Sequence, residues 1–500
     1  MSNETLPASW TPVEIEDVLL PYPNGKKIRQ GWSPQCENHP AESHDDWAVL
    51  RTSAIQDGTF VDAENKKLPP SLEPRTQLEV IAGDILMTCA GPRARCGVTS
   101  LVRSTRPRLL ISGKMYQLRA DPEIVERHFL EFFLRESHTK KKIDEMKTGI
   151  SDSGLNLTHD RFRTLTIPLP PLPEQKRIVA KIEELFSELE AGEASLRKAR
   201  RQLGVYRQSL LKQAFEGKLA QKWRTQHPET EPASNFLERI LEQRRKQWNG
   251  AGKYKEPVDA AIDRGGEIPE NWTWTATDSV CSQITDGEHI QPRYRDQGLP
   301  MLTAKHVRDG YVVFDDAGLI APEDFETCLK RCAPTKNDVL IVSVGATTGR
   351  TGIVGDQPQF ALVRSVLLLR PLLISPQYLM RWNQSPWCMR WKTSASGATA
   401  QPHLYIKDTR RMPIPLCTLP EQQEIVRLLD AQFEAIERNE RELDAALQRS
   451  EALRQSILKK AFSGRLVPQD PSDEPAPTLL ARLRTERASM PSIKRKSSLP

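Results

Sequence analysis

The sequence of 500 residues lacks the short motifs that many nucleotide-dependent and methyl-transferring enzymes carry. It has no G-x-x-x-x-G-K-[ST] segment for a nucleoside triphosphate, no G-x-G-x-x-G segment after a predicted strand, and no Asn/Asp-Pro-Pro-aromatic tetrad of the amino-methyltransferase type. Histidines stand singly, as at 159, 289, 306 and 403, so a metal site is not expected. These absences leave ATP chemistry, methyl transfer and metal catalysis in this chain without support.

Long apolar runs and matched cysteine pairs are also missing. No run approaches the ~20 apolar residues of a membrane-spanning helix, and the N-terminus lacks the apolar core of a signal peptide. Eight cysteines stand at 36, 89, 96, 281, 328, 332, 388 and 417, without the paired spacing of a zinc finger. We therefore expect free thiols, a cytoplasmic location and no association with a membrane.

The charge is mildly basic, at +6, which permits a polyanionic partner without requiring one. Basic residues are concentrated in one stretch, where Glu216 is the only acidic residue: Arg197, Lys198, Arg200, Arg201, Arg207, Lys212, Lys218, Lys222 and Arg224. Such a stretch is either a solvated helix face or a place where phosphates are held.

An internal duplication organises the chain. Residues 172–219 and 419–466 align without a gap, with 20 of 48 positions identical. Both copies open with Leu-Pro-Glu-Gln and close with Ala-Phe-x-Gly-x-Leu. Proline and glutamate suit a first helical turn, and the glycine suits a helix end, so each copy predicts one long helix, over 174–216 in the first.

Apolar residues in these helices step by four and three, which predicts the seam of a left-handed coiled coil. A long helix with one apolar stripe needs a partner, and its duplicate is the nearest. The alternative is that each stripe packs separately on a globular core. The predicted seam consists of Ile178, Ile182, Leu185, Leu189, Leu196, Leu203, Ile425, Leu429, Ile436, Leu443, Leu453 and Ile457.

A second layer of repetition precedes each helix. Pro7-Ala8-Ser9-Trp10 resembles Pro269-Glu270-Asn271-Trp272, and Gly83–Met87 resembles Asn337–Ile341. Short β-favouring runs alternate with helical stretches, which indicates mixed α/β domains. Between such landmarks the two halves diverge, as expected if two copies of one frame read different ligands.

Globular halves followed by these helices resemble the DNA specificity subunit of Type I restriction-modification enzymes. The resemblance covers nearly the whole chain. Its most specific parts are the two helix openings, the two helix closings, and Ile284-Thr285-Asp286-Gly287 with Pro292 and Tyr294. The family often has Thr-His directly after that glycine, whereas this chain has Glu288 and His289.

The predicted fold class is α+β: two mixed α/β target-recognition domains separated by two long helices that form an antiparallel coiled coil, with an internal pseudo-two-fold repeat. Such symmetry suits two half-sites on duplex DNA. The predicted parts are a first domain at 1–165, a first long helix at 166–225, a polar linker with a short helix at 226–267, a second domain at 268–412, a second long helix at 413–467, and a Pro-rich hinge with a basic tail at 468–500.

The resemblance implies a division of labour in which this chain is not an enzyme. It would recognise a bipartite DNA site with a gap of fixed length and hold the other subunits together. Its partners would be double-stranded DNA, two modification subunits and the restriction subunits. No cofactor is expected in this chain, since S-adenosylmethionine would bind to the adenine-methylating modification subunits and ATP with magnesium to the restriction subunits.

Basic side chains in turn-like segments are the candidates for DNA contact, because function concentrates in loops. Any one of them could equally be ordinary surface. The glycine-bearing segments Gly91–Gly97 and Gly345–Gly352 could cradle phosphate or form simple hairpin turns. The candidates are Lys26, Lys27, Arg29, Arg93 and Arg95 in the first domain, and Arg293, Lys305, His306, Arg308 and Arg350 in the second.

Two other functions stay open at this point. A coiled-coil scaffold with protein-binding ends would have the same repeats without a DNA role, although the basic stretch and the divergent halves favour DNA. A nuclease or methylase in one chain would need motifs that the sequence lacks.

Overall fold

The computed structural model describes residues 6–149, 151–248, 253–261, 266–289, 293–396 and 403–489. The chain divides into two compact units: unit 1 comprises Met1–Leu196 with Ala445–Pro500, and unit 2 comprises Arg197–Asp444. Both divisions fall inside long helices, so each unit holds one globular domain and part of each long helix. Pro292, the basic end of the tail and parts of the linker at 249–266 lie outside the described residues.

The first repeat consists of short strands and helices that lead into a long helix and two shorter ones. Its strands are β1 (Thr11–Glu14), β2 (Ile28–Gln30), β3 (Ala48–Leu50), β4 (Ile55–Gln56), β5 (Thr59–Phe60), β6 (Asn65–Lys67), β7 (Ile85–Thr88), β8 (Ala90–Gly91), β9 (Thr99–Leu101), β10 (Leu109–Leu110), β11 (Met115–Leu118), β12 (Lys147–Thr148), β13 (Leu155–Leu157) and β14 (Thr166–Leu169). Its helices are α1 (Arg127–Arg135), α2 (Ser137–Glu145), α3 (His159–Phe162), α4 (Leu172–Phe215), α5 (Gln221–Gln226) and α6 (Ala233–Lys246).

The second repeat also leads through short strands and helices into a long helix, which one shorter helix follows in the described residues. Its strands are β15 (Thr273–Ala276), β16 (Cys281–Asp286), β17 (Tyr294–Arg295), β18 (Leu299–Leu302), β19 (Gly318–Ile320), β20 (Val339–Val342), β21 (Thr351–Ile353), β22 (Ala361–Leu362), β23 (Val366–Pro371) and β24 (Pro413–Leu416). Its helices are α7 (Pro322–Arg331), α8 (Pro376–Gln384), α9 (Pro386–Ala395), α10 (Ile406–Arg411), α11 (Leu419–Phe462) and α12 (Ala476–Ser489).

The two globular domains share one sheet topology. The main sheet is antiparallel in the order β2-β11-β7-β9 in unit 1 and β16-β23-β20-β21 in unit 2. A second sheet joins a parallel pair to an antiparallel neighbour, as β10-β3-β6 in unit 1 and β22-β18-β19 in unit 2, where β17 adds an edge. One mixed α/β fold is therefore used twice, which confirms the predicted repeat.

The central strands β7 and β20 are buried along their whole length, which explains why both read as continuous apolar runs. Their alternate residues face two different cores, as the two-residue period of a strand requires. Ile85 and Met87 join the core that contains α1, whereas Leu86 joins the core of the second sheet.

The long helices pair antiparallel within each unit. In unit 1 the start of α4, at Ile178 and Ile182, shares a core with Ile457 near the end of α11. In unit 2 the end of α4, at Leu210, shares a core with Ile425 near the start of α11. This arrangement confirms the predicted fold class of two mixed α/β domains with an antiparallel pair of long helices.

The apolar seam weakens toward the middle of the helices, and the assignment of Leu453 to it is wrong. Six predicted seam residues are buried and five are half-buried, but Leu453 is 50% exposed. The neighbouring Arg454 faces α4 instead: its guanidinium lies 4.7 Å from the Phe186 ring and pairs with Glu193 at 3.2 Å. Charge pairs replace apolar contacts here because both helices carry long polar side chains at these turns.

A buried hydrogen bond joins the start of each long helix to the start of its own domain. The indole Nε1 of Trp10 donates to Glu174 Oε2 at 3.1 Å, and that of Trp272 donates to Glu421 Oε2 at 3.0 Å. The second carboxylate oxygen differs: Glu174 accepts from the Gln469 amide at 2.6 Å, whereas Glu421 accepts from Arg224 at 2.8 Å. Burial raises the pKa of both carboxyls, against these hydrogen bonds.

The next residue of each motif ties the long helix to the start of a helix in the same domain, α1 in the first domain and α8 in the second. Gln175 accepts from the backbone N–H of Glu126 at 2.8 Å and donates to the carbonyl of Ile124 at 3.0 Å. Gln422 accepts from the N–H of Ser375 at 2.8 Å in the same way. The Leu-Pro-Glu-Gln motif therefore anchors the helix as well as beginning it.

The far end of each long helix docks on the other repeat's domain. Phe215 packs edge-on against Tyr378 and Trp382, both at 5.1 Å, and Phe462 packs against Phe129 at 5.2 Å. Two residues after each helix ends stands a glycine, Gly217 or Gly464, with φ of +70°, a conformation that favours glycine.

The short helices α6 and α12 pack in the same unit as the end of the long helix that precedes them. In α6, Phe236 and Ile240 are buried in the core of unit 2, and in α12, Leu480 and Leu483 are buried in the core of unit 1. The likeness seen in the sequence between these two segments thus corresponds to equivalent packing.

The carboxylates of Glu174 and Glu421 should contribute unequally to the stability of their units. Replacing Glu421 by Gln leaves the partly buried Arg224 without its carboxylate, so we expect unit 2 to lose about 3 kcal/mol. Replacing Glu174 by Gln keeps an acceptor for Trp10 and removes no cation partner, so we expect a loss of about 1 kcal/mol. Hydrogen-exchange mass spectrometry of β15 and β1 would compare the two, and equal losses would contradict this reading.

Candidate nucleic-acid interface

A basic groove of about 640 Å³ opens on the first domain beside strand β2. Cations from three separate parts of the chain line it, against only two acidic residues, Glu16 and Asp160. We call this feature the basic groove and define it by Lys26, Lys27, Arg29, Arg75, His159 and Arg163. Three of the predicted contact residues are thus brought together, with three that were not predicted.

Aromatic rings hold two of the arginines in this groove. The guanidinium of Arg29 lies 3.6 Å from the ring centre of Tyr22, and that of Arg75 lies 4.6 Å from Trp32. Cations stacked on rings in this way keep their N–H groups for other acceptors. Tyr22 is itself fixed, because its hydroxyl donates to the Gln117 carbonyl at 3.1 Å.

The cations of the groove differ in how free they are. Lys27 donates to the carbonyl of Glu16 at 2.9 Å, and Arg163 lies 3.8 Å from the Glu16 carboxylate. Lys26 is exposed. Burial lowers the pKa of His159, and the nearby Lys26 lowers it further, so this imidazole is neutral near pH 7. Lys26 and Arg75 are therefore the cations best placed to hold a phosphate.

Arg93 and Arg95, in the first glycine-bearing loop, both bind other parts of the first domain, although Arg93 is exposed. Arg93 pairs with Asp144 at 2.6 Å and Asp152 at 3.0 Å. Arg95 donates to the carbonyl of Ile55 at 2.7 Å and also to that of Thr52. Their role in DNA contact stays a prediction, and in this structure both hold the loop in place.

In the second domain, a close backbone approach brings Arg308 and Arg350 into one region. Gly310 donates to the Thr351 carbonyl at 2.9 Å and forms a bridge with Gly352. A Cβ at Gly352 would lie 2.5 Å from the carbonyl oxygen of Tyr311, so only glycine permits this approach. The resulting turn presents Arg308 and the 58% exposed Tyr311.

A fully buried lysine supports this region from beneath. Lys392 Nζ donates to the carbonyls of Asn383 at 2.8 Å and Gly349 at 3.3 Å. Burial lowers the pKa of Lys392. It therefore ties helix α9 to the second glycine-bearing loop, which carries Arg350.

The other candidates of the second domain are placed less favourably. Lys305 is exposed but donates to the Asp316 carbonyl at 3.1 Å, and Arg293 is exposed. His306 is buried, and its Nδ1 accepts from the Thr303 N–H at 2.8 Å, closing a turn. Burial lowers the pKa of His306. This imidazole shapes the backbone beside Arg308 and does not itself reach the surface.

The Thr-Asp-Gly motif of the second domain forms a closed ionic cluster. Asp286 accepts from Arg331 at 2.5 Å and from His289 at 2.8 Å. Burial raises the pKa of Asp286, but these two hydrogen bonds outweigh it and lower the pKa overall. The motif thereby fastens the end of α7 to β16.

Part of the basic stretch at 197–224 pairs with acidic residues of α11 or with Glu216. Arg200 pairs with Asp444 at 2.9 Å and Arg207 with Glu440 at 3.3 Å. Lys212 and Lys218 lie 3.7 and 2.7 Å from Glu216. Because these four cations already have carboxylate partners, we do not assign phosphate binding to them.

No site for a metal ion is formed by three or more His, Cys, Asp or Glu side chains in the part of the chain that the structure describes. The eight cysteines are free thiols, of which all but Cys36 are buried. None of the described helices combines the length and apolar character needed to cross a membrane.

The sequence and the fold of this chain resemble those of known proteins. The family model described as Type I restriction modification DNA specificity domain matches residues 59–196 and 291–448, one match in each repeat and more than half of the chain in total. The chain belongs to this family.

Named relatives agree with this family over different lengths. The specificity subunit of the Type I restriction enzyme EcoEI of Escherichia coli is 34% identical over 181 residues, covering 36% of this chain and 30% of that subunit. The EcoBI subunit of the same species is 29% identical over 67% of this chain and 68% of its own length. The EcoKI subunit of Escherichia coli strain K12 is 24% identical over 98% of both chains.

A solved structure shares the fold. A chain from work on complex assembly and conformational transition of the type I R-M system superposes with a TM-score of 0.64 at 22% identity. The match covers 92% of this chain and 100% of that chain.

The basic groove predicts which cations govern the salt dependence of DNA binding. Replacing Lys26 and Arg75 together by Ala should reduce the steepness of log affinity against log salt by about 0.9 for each lost phosphate contact. Replacing Arg93, which Asp144 and Asp152 already neutralise, is the control and should leave the slope unchanged. Titration of duplex DNA at several salt concentrations measures both, and an unchanged slope in the double variant would exclude this groove.

Proposed function

We propose that this chain recognises a bipartite DNA site and reads one half-site with each globular domain, across a gap of fixed length. The observation that carries the proposal is that one topology bears two different basic surfaces. Unit 1 has the basic groove beside β2, and unit 2 has the Arg308–Tyr311 turn beside Arg350. Two copies of one frame with different contact surfaces suit two different half-sites.

We assign phosphate contacts in the first domain and base contacts in the second to different kinds of side chain. Lys26, Arg75 and Arg163 are charged and peripheral, which suits phosphate oxygens. Arg308 and Arg350 lie beside an exposed tyrosine on a turn, which suits a fork of donors reaching a guanine edge. We assign base recognition in the second half-site to this turn.

The chain would carry no catalytic step of its own and would serve as the scaffold of a larger enzyme. Two modification subunits, which bind S-adenosylmethionine, would methylate adenine, and restriction subunits, which bind ATP and magnesium, would translocate and cut. Family membership and the names of the relatives support this division. Both long helices are exposed along their outer faces between the anchors, which leaves room for such partners.

The long helices would set the length of the gap. Each is anchored by its Glu-Gln motif at one end and by its phenylalanine at the other. Because the helices pair antiparallel, an insertion in one alone would strain the other. A change in gap length therefore requires matched insertions in both helices.

Matched insertions test this function of the helices. Four residues added beside Glu193 in α4 and beside Ser450 in α11, which face each other at 2.8 Å, extend both helices by ~6 Å and nearly keep the seam. We expect methylation of sites whose gap is one or two base pairs longer, with unchanged recognised bases. Two-residue insertions at the same places turn the seam by about 200° and should abolish activity.

The measurement is methylation of a DNA library in which only the gap length varies, with the modification subunits present. Full activity of the four-residue variant at the parent's gap would show that the helices do not set it. If the parent chain did not bind DNA, the proposed function as a whole would be wrong.

A further inference from the structure

A groove that DNA recognition does not use lies in unit 1, where the end of α11 meets α1 and α2. Its volume is about 690 Å³, and apolar atoms form most of its surface, although many of its lining residues are polar. We call it the apolar groove and define it by Leu6, Pro12, Phe133, His138, Lys142 and Phe462. It is separate from the basic groove, and the two share no lining residue.

The second repeat has the same local structure, so the two units can be compared position by position. Glu136 caps α2 by accepting from the N–H of the third residue of the helix, and Ser385 caps α9 in the same way. The Phe133 ring lies 5.4 Å from Phe462, and the Trp382 ring lies 5.1 Å from Phe215. In this register His138 corresponds to Trp387 and Lys142 to Trp391.

Tryptophans of the chain itself occupy the corresponding place in unit 2. The Trp387 ring stacks on Trp382 at 5.2 Å and an angle of 22°, and the Trp274 ring lies 5.9 Å from both. Trp274 takes the strand position of Pro12, since these residues pair with Pro415 and Pro168 respectively. Unit 1 carries proline, histidine and lysine where unit 2 carries indole rings, and its groove stays open.

Unpaired cations surround the apolar groove. Lys141, Lys142 and Lys459 line it, and no ion pair joins any of them to another described residue. By contrast, the neighbouring Lys140 pairs with Asp57 at 2.8 Å. The Glu136 carboxylate does not pair with these lysines but caps α2, where it accepts from the Thr139 N–H at 2.8 Å. The groove therefore combines an apolar floor with a positive rim.

We propose that the apolar groove binds an acidic segment of a partner protein by taking up one of its aromatic side chains. The floor fits an aromatic ring because the equivalent place in unit 2 is filled by such rings, and the three lysines fit flanking carboxylates. A DNA backbone would match the lysines but would leave the apolar floor uncovered. Docking is specific to unit 1, because unit 2 fills its own site.

The test uses the full chain and the peptide Ac-Glu-Asp-Trp-Asp-Glu-NH2, labelled with 5-fluorotryptophan and observed by fluorine NMR. Replacing His138 and Lys142 together by Trp copies unit 2 and should weaken peptide binding at least about tenfold. Replacing Lys140, which lies on the same helix outside the groove, by Trp is the control and should leave binding unchanged. A melting temperature for the double variant at or above the parent's would show that it is folded.

Two further arms keep the proposal open to refutation if the double variant fails to fold. Replacing Lys141, Lys142 and Lys459 by Glu leaves the floor intact and should also abolish binding. A peptide with Ala for Trp, or with Lys for the acidic residues, should not bind. Absence of binding by the parent, equal binding by either control peptide, or displacement of the peptide by duplex DNA would overturn the proposal.

Discussion

A buried hydrogen bond from tryptophan to glutamate determines how each long helix leaves its domain. Trp10 and Glu174 form it in one repeat, and Trp272 and Glu421 form it in the other. The carboxyl is buried at the first turn of the helix, so the strand before it, the domain's first residues and the helix axis are held at one point. Antiparallel pairing, docking of the far helix ends and packing of α6 and α12 all depend on this fixed starting direction.

The two repeats keep this framework and change what surrounds it. The second carboxylate oxygen of Glu421 accepts from the cation Arg224, whereas that of Glu174 accepts from the neutral amide of Gln469, so the charge beside the two carboxyls differs. Exposed surfaces diverge further, with a basic groove in one domain and an arginine-bearing turn in the other. A duplicated frame of this kind lets each domain acquire its own contacts without disturbing the helices that connect them.

The sequence alone predicts the repeat, the long helices and the mixed α/β domains, because gapless identity, heptad spacing and glycine stops are properties of neighbouring residues. The basic groove was not predicted in full: Arg75 and Arg163 lie far along the chain from Lys26, and only the fold brings them together. His306 was predicted to contact DNA, but it is buried and closes a turn with Thr303, which residue type alone does not reveal. Leu453 followed the seam pattern, but Arg454 occupies the contact with α4, a choice that spacing cannot reveal.

The central claim is that each domain reads its own half-site. Its most direct test exchanges residues 1–165 for those of a relative, while Trp10 and the Asp121 and Glu123 carboxylates that bind Arg487 of α12 are retained. Adenine methylation would then be mapped across the genome of a host that supplies the modification subunits. We expect one half of the methylated sequence to change while the other half and the gap stay the same. A change in both halves, or in neither, would contradict it.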